Sequence, residues 1–217
     1  MGKDWLLQIN YLESVDSTQI YLKNKLKKKQ LSPPCAVVAN VQIAGVGSRE
    51  NSWIGHEGNL FCSFALGRDT LPKDLPLESA SIYFAYILKE SLCNLGSQVM
   101  LKWPNDFYID DKKIGGMITN IVVDSFICGF GLNLVSSPET FGVLDINLSK
   151  KKILGSFFKN LEKKFSWKQI FSKYELEFYY NKSFYTYNNN HKILLSECTL
   201  ESDGSIINNG ERIYSLR

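Results

Sequence analysis

Apolar and polar residues alternate at Leu7, Ile9 and Tyr11, the two-residue period of a half-buried strand, and the pattern then meets Asp16-Ser17-Thr18. Short oxygen-bearing side chains of this kind favour helix N-caps because they accept from otherwise unpaired backbone N–H groups. Tyr21, Leu22 and Leu26 follow at helical spacing and lead into Lys27-Lys28-Lys29, where cations suit the negative end of a helix. The pattern predicts a strand followed by a helix.

Beyond Pro33-Pro34, Cys35-Ala36-Val37-Val38-Ala39-Asn40-Val41 reads as a second strand and Leu60-Phe61-Cys62-Ser63-Phe64-Ala65-Leu66 as a third. Between them lies an expected loop with Gly45, Gly47, Gly55 and Gly58, long for a hairpin, and long loops inside compact domains are usually functional or mobile. Residues 78–95 carry Ile82, Ala85, Tyr86, Leu88 and Leu92, which fits a helix buried around much of its circumference.

Val99-Met100-Leu101-Lys102-Trp103 reads as a strand stopped by Pro104. Apolar arms at 107–109 and 114–118 around Asp110-Asp111-Lys112-Lys113 predict a hairpin, with two further strands at 121–123 and 127–133. The stretch 152–180 has helical period, and Ser166 before Trp167 divides it into two helices. From Phe184 onward, strand-like alternation returns between turns at Asn188-Asn189-Asn190, Asp203-Gly204 and Asn208-Asn209-Gly210. The whole is an α+β chain, a mixed or antiparallel sheet with helices on one side and a small β unit at the end.

Composition narrows the class. With 217 residues, 44% hydrophobic and 22% charged, the chain can bury a sizeable core. A net charge of +3 argues against a protein that coats nucleic acid, and the lysine runs at 27–29 and 150–152 read as solvated helix faces. Five scattered cysteines suggest reduced, buried thiols rather than a disulfide framework, and two histidines far apart form no metal motif. The start shows no signal peptide and no stretch reaches the roughly 18 apolar residues of a membrane span, so a cytoplasmic setting is expected.

Chemistry concentrates in a few places. Gly45-Val46-Gly47 alone reads as a turn, since no Gly-Lys-Ser/Thr follows it and no helix pattern opens behind it. Lys102, at the end of an apolar strand and followed by a tryptophan and a proline, admits two readings. It is either a lysine reaching from a strand end to water or a fixed ammonium for an anionic substrate.

Four segments in order carry a family resemblance: Glu13-Ser14-Val15-Asp16-Ser17-Thr18-Gln19; Gln42-Ile43-Ala44-Gly45-Val46-Gly47-Ser48 through Trp53; Lys102-Trp103-Pro104-Asn105-Asp106 with Gly115-Gly116; and Gly129-Phe130-Gly131-Leu132-Asn133. The chain resembles the catalytic region of biotin protein ligases, in the monofunctional form without an N-terminal DNA-binding domain. The resemblance implies a class II aminoacyl-tRNA synthetase/biotin ligase-like catalytic domain over 1–182 and an SH3-like domain over 183–217.

It also implies ATP-dependent formation of biotinyl-5′-AMP and transfer of biotin to a lysine of a biotin carboxyl carrier protein. ATP, biotin and Mg²⁺ are the expected ligands, the metal being held through the phosphates rather than by a side-chain cluster. Nucleic acid and membrane are not expected partners, and a homodimer is compatible with the family.

By matching position, biotin falls to Ser17, Thr18, Gln19, Gln42, Gly45, Val46, Gly47, Ser48, Lys102, Gly115, Gly116 and Gly129. The adenylate falls to Arg49, Trp53, Asn105, Gly131 and Asn133, with Lys102 between carboxylate and α-phosphate. Trp53 would cover the adenine, or else is a loop aromatic packed on the core.

The chain departs from the family where Gly45-Val46-Gly47-Ser48 stands for the usual Gly-Arg-Gly-Arg. Two guanidiniums near the reacting phosphate are absent, with Arg49 the nearest substitute, and looser retention of the adenylate is expected. Lys102 is then left as the main fixed cation. The alternatives are a lipoate or octanoate ligase-like acyltransferase and a non-catalytic biotin-binding relative.

Overall fold

A computed structural model describes residues 7–47, 52–122, 124–189 and 191–215. β1 (Gln8–Val15) leads into α1 (Thr18–Lys27), whose N-cap is Ser17, its hydroxyl accepting from the Ile20 N–H at 3.4 Å. Then follow β2 (Cys35–Val46), β3 (Ser52–Gly55), β4 (Leu60–Gly67), α2 (Ala80–Cys93), β5 (Met100–Lys102), β6 (Asp106–Ile109), β7 (Lys112–Val122) and β8 (Ser125–Leu132). α3 (Lys150–Leu161) and α4 (Trp167–Tyr180) come next, and Ser166 caps α4 in a capping box with Gln169. β9 (Tyr185–Asn188), β10 (His191–Leu194), β11 (Thr199–Leu200), β12 (Ile206–Asn208) and β13 (Glu211–Ile213) close the described chain.

The main sheet runs β1-β2-β4-β8-β7-β6-β5, with β3 paired to the outer half of β2. Only β1 and β2 are parallel, joined through α1, so the sheet is mixed. Successive residues of β2 point to opposite faces. Ala36 and Val38 join Cys62, Phe64 and Cys128 in one core with α2, α3 and α4, where Phe64 meets Phe84, Phe157 and Phe158 edge-on at 5.5, 5.4 and 5.9 Å. Cys35 and Val37 pack instead with Ala65, Ile127 and Leu22 of α1. Among the described residues, three helices thus share one face and α1 covers part of the other.

Two expectations change. The long glycine loop after Val41 is largely strand, because β2 continues to Val46 and β3 folds back on it. Its glycines serve close approach rather than turning: a Cβ on Gly45 would lie 2.6 Å from the Trp53 carbonyl oxygen, and one on Gly55 2.8 Å from that of Gln42. The separate strand expected at 121–123 is the end of β7, since Asn120, Ile121 and Val122 stay paired with β8 and a turn comes only at Asp124. Val123 lies outside the described residues.

The C-terminal strands form two small antiparallel sheets. Asn209 and Gly210, at φ 48° and 82°, make the two-residue turn between β12 and β13. Ile193, Leu195, Leu200, Ile206 and Ile213 belong to the same core as α2 and α4. The indole N–H groups of Trp103 and Trp167 donate to the carbonyls of Gly204 and Ser202, each at 2.8 Å, which fixes this unit against the strand that carries Lys102.

Candidate active site

Residues directly opposite one another in paired strands share a face. Registers across the sheet therefore place Ala39, Phe61, Gly131, Gly116, Asp106 and Lys102 in one row, on the face that α1 partly covers. The adjacent row reads Val37, Ser63, Gly129 and Ile118. Three glycines in neighbouring rows form the floor of a trough and let Gln19, Trp53 and Asp106 approach the sheet closely, where a Cβ would meet them at 2.5, 2.8 and 3.1 Å.

At one end of the trough, α1 presents its N-terminus. Ser17, Thr18 and Gln19 are buried there and line the cleft with Gln42, Ser63 and Gly129. Gln42 Oε1 accepts from the Thr18 N–H at 2.8 Å and from its hydroxyl at 2.9 Å, and the Ser63 hydroxyl donates to Thr18 Oγ1 at 2.9 Å. The Gln19 amide donates through Nε2 to the Ile127 carbonyl at 3.0 Å and to Asn120 Oδ1 at 3.2 Å. That fixes its other end. Oε1 lies over Gly129, where a Cβ would come within 2.5 Å of it, and it accepts no hydrogen bond despite being buried. A buried acceptor of this kind costs stability unless a donor meets it.

The other end is charged. Lys102 Nζ stands 3.9 Å from Asp106 Oδ2 and donates to the Tyr108 hydroxyl at 3.5 Å, over the rings of Tyr108 and Tyr185 at 5.3 and 5.2 Å. Lys113 Nζ meets the other Asp106 oxygen at 2.6 Å. One carboxylate thus bridges two ammonium groups and leaves a net charge of +1 on the trio. Burial and the nearby Asp106 push the Tyr108 phenol well above its ordinary value, so it stays neutral and accepts from Lys102. A cavity of about 440 Å³ opens here, lined by Lys102, Asn105, Asp106, Lys113, Tyr185 and Ser215, and it adjoins the cleft through Val46, Gly47, Asn105, Asp106 and Lys113.

Of the residues expected from sequence, Ser17, Thr18, Gln19, Gln42, Val46, Gly47, Trp53, Asn105, Gly116, Gly129 and Gly131 line the cleft. The Trp53 indole lies on Gly131, with Nε1 2.8 Å from where a Cβ would stand, and meets the Phe141 ring edge-on at 6.2 Å. Asn105 lines the cleft but spends its side-chain N–H on the Met117 carbonyl, so it also braces β7. Lys102 lines the wider cavity, not the narrow cleft.

Three expected residues lie elsewhere. Gly115 faces away from the trough, where a Cβ would strike the Gly131 carbonyl and Leu132. Gly45 serves strand packing, as above. Asn133 lines neither cavity: it is buried, donates to the Gly142 carbonyl at 3.1 Å and meets Asn59, whose Oδ1 accepts from Leu134 N–H at 2.9 Å. Ser48 and Arg49 fall outside the described residues.

Sequence reasoning missed Ser63, Lys113, Tyr108 and Tyr185. Ser63 had a signal, a hydroxyl inside an apolar strand. Lys113 had none, because a lysine near a charged hairpin tip looks solvated until the register brings it to Asp106. Among the described residues, Lys102 shares the cationic end with Lys113.

The family model described as "Biotin/lipoate A/B protein ligase family" matches residues 11–133, more than half of the chain. The chain belongs to the biotin/lipoate A/B protein ligase family. The matched stretch contains α1, the glycine trough and the Lys102 hairpin. Among solved members, the biotin acetyl coenzyme A carboxylase synthetase of Helicobacter pylori, with bound biotinylated ATP, is 39% identical at a TM-score of 0.93, covering 96% of this chain and 100% of that one. The biotin protein ligase of Aquifex aeolicus, in complex with biotin and ATP, is 25% identical at a TM-score of 0.76, over 97% and 96% of the two chains.

Among curated members, the Escherichia coli bifunctional ligase/repressor BirA is 28% identical over 130 residues, which span 57% of this chain but 39% of that protein. The biotin--[acetyl-CoA-carboxylase] ligase of Paracoccus denitrificans is 28% identical over 123 residues, 52% of this chain and 50% of that one. Among the described residues, no helix is long and apolar enough to cross a membrane.

Proposed function

We propose that this chain activates biotin with ATP to biotinyl-5′-AMP and transfers the biotinyl group to a lysine of a biotin carboxyl carrier domain. The observation that carries the reading is the pairing of a neutral, buried acceptor at one end of the trough with a net cationic end. Biotin has that polarity, a ureido ring with N–H donors and a carboxylate at the end of a chain. Gln19 Oε1 supplies an acceptor for a ring N–H, beside the Thr18 and Ser63 hydroxyls. Gly129, Gly131 and Gly116 let Gln19, Trp53 and Asp106 come down close to the sheet, and all six line the cleft that would take the ligand body.

In the first half-reaction a carboxylate oxygen attacks the α-phosphorus of ATP, the bond to the β-phosphate oxygen breaks, and pyrophosphate leaves. Two anions must meet. Lys102 and Lys113 reduce that repulsion and stabilise the charge that builds on the phosphate oxygens, with Asp106 holding both ammonium groups. In the second, a neutral carrier lysine attacks the acyl carbon, AMP departs with the bonding pair, and the amine gives up its proton to solvent. Trp53, which lies on Gly131, would cover the adenine and keep water from the anhydride.

Mg²⁺ neutralises polyphosphate charge in such chemistry. The donors do not suit a resident ion: among the described residues no group of three or more His, Cys, Asp or Glu is gathered, and Asp106, the carboxylate lining both cavities, already faces two lysines. In our reading the metal arrives on the triphosphate. A cytoplasmic setting, a division near residues 182 and 183, and a carboxylase carrier as partner belong to the same proposal.

Lipoate is the competing acid within the family. Its dithiolane ring has no N–H, so it would leave Gln19 Oε1 unmet, and biotin is favoured. Pyrophosphate release measured with ATP and either acid tests the reading. Release with biotin and little with lipoate is expected; the reverse order would overturn it.

A further inference from the structure

β5 has three residues and ends the main sheet, so one side of its backbone has no neighbouring strand among the described residues. In an antiparallel pair the N–H and C=O of one residue point to the same side, and alternate residues point to alternate sides. Leu101 turns both groups outward. Both are taken by α4: the Leu101 N–H donates to Glu177 Oε1 at 2.6 Å, and Asn181 Nδ2 donates to the Leu101 carbonyl at 3.1 Å. Glu177 and Asn181 are four residues apart, one helical turn, and so lie on the same helix face.

The pair is fixed in turn. Asn181 is 1% exposed and caps α4, and Glu177 Oε2 meets Lys89 Nζ of α2 at 3.1 Å. Leu101 is the residue before Lys102, whose ammonium stands at the charged end of the cavity.

We propose that Glu177 and Asn181 are positioning residues that act as a substitute strand for β5 and set where Lys102 stands during acyl-adenylate formation. The inference rests on the biotin-activating reading. Neither side chain lines the cleft or the adjoining cavity, so neither touches substrate. Their effect passes through the Leu101 backbone. A cation displaced by about 1 Å costs on the order of a hundredfold in rate, while binding of a ligand held at the far end of the trough is unchanged.

Removing Glu177 alone would leave Lys89 with a buried, weakened partner set, so the test uses paired variants. Lys89→Met/Glu177→Leu removes the ion pair and the acceptor; Lys89→Met/Glu177→Gln removes the ion pair and keeps an acceptor for the Leu101 N–H. Both are compared by kcat and KM for biotin in pyrophosphate release, and by amide hydrogen exchange at Leu101. The glutamine form should keep kcat within about threefold of wild type, and the leucine form should lose at least about tenfold in kcat with KM within about twofold and faster exchange at Leu101.

Equal kcat in the two variants, or a loss confined to KM, overturns the proposal. Wild-type protein that releases no pyrophosphate with biotin and ATP would sink the functional reading instead. The exchange contrast at Leu101 then still decides whether the helix clamps the strand, and equal exchange in the two variants rejects the clamp.

Discussion

The two ends of the trough are built differently. At the neutral end, Ser17, Thr18 and Gln19 are 2, 3 and 6% exposed and are held by hydrogen bonds with Ile20, Gln42, Ser63, Asn120 and Ile127, without a charge among them. At the charged end, Lys102 on the edge strand β5 is 9% exposed, while the Asp106 and Lys113 side chains on the β6–β7 hairpin are 22 and 26% exposed. Burial sharpens hydrogen-bond selection, because a missed partner in a dry site is costly. Partial exposure lets phosphates enter and leave. The neutral end should therefore decide which acid binds, and the charged end how fast it reacts.

Lys102→Ala breaks the comparison most severely. Acyl-adenylate formation should fall on the order of a thousandfold while biotin affinity changes little, as read by single-turnover kinetics beside calorimetry. An equal loss in both would mean that the ends are not separable. Gly129→Ala attacks the neutral end by volume, since the new methyl would come within 2.5 Å of Gln19 Oε1 and 2.8 Å of Ser63 Oγ. Biotin affinity should fall on the order of a hundredfold, with the folded state weakened by about 1–3 kcal/mol.

Gln19→Met is milder and more pointed. Loss of one buried acceptor should weaken biotin about tenfold and leave lipoate unchanged, which competition binding would read. The smallest effect concerns pH. Burial pushes the Glu177 carboxyl above its ordinary 4.5, against the pull of Lys89 and the Leu101 N–H. A raised folded value means that its contribution to stability is present below 4.5 and is lost as pH rises through the raised value. Glu177→Gln should flatten that part of the pH profile of unfolding midpoints.

Elements were legible in the sequence where local chemistry decides them. Ser17 and Ser166 mark helix starts because a cap is a contact between near neighbours, β4 announces itself as a nearly unbroken apolar run, and α2 by its helical spacing. Register is not local. The row that joins Gly131, Gly116, Asp106 and Lys102 is drawn from strands spread over the chain, and no period in any one of them encodes it.

The glycines mislead for the same reason. Gly45 and Gly55 look like turn residues, yet they let two strands touch. Asn133 was expected at the adenylate by position in a motif, and no local pattern announces the hydrogen bonds it makes with Asn59 and the Gly142 carbonyl. Lys113 and Tyr185 reach the charged end only through a hairpin and a C-terminal strand, which composition cannot place.

The central claim is that the neutral end selects biotin for the chemistry at the charged end. Its most direct test is mass spectrometry of a biotin carboxyl carrier domain after incubation with the protein, ATP and equal amounts of biotin and lipoate. A single biotinyl adduct on one lysine, absent without ATP, is the predicted result. A lipoyl adduct in its place, or an unmodified carrier, would contradict it.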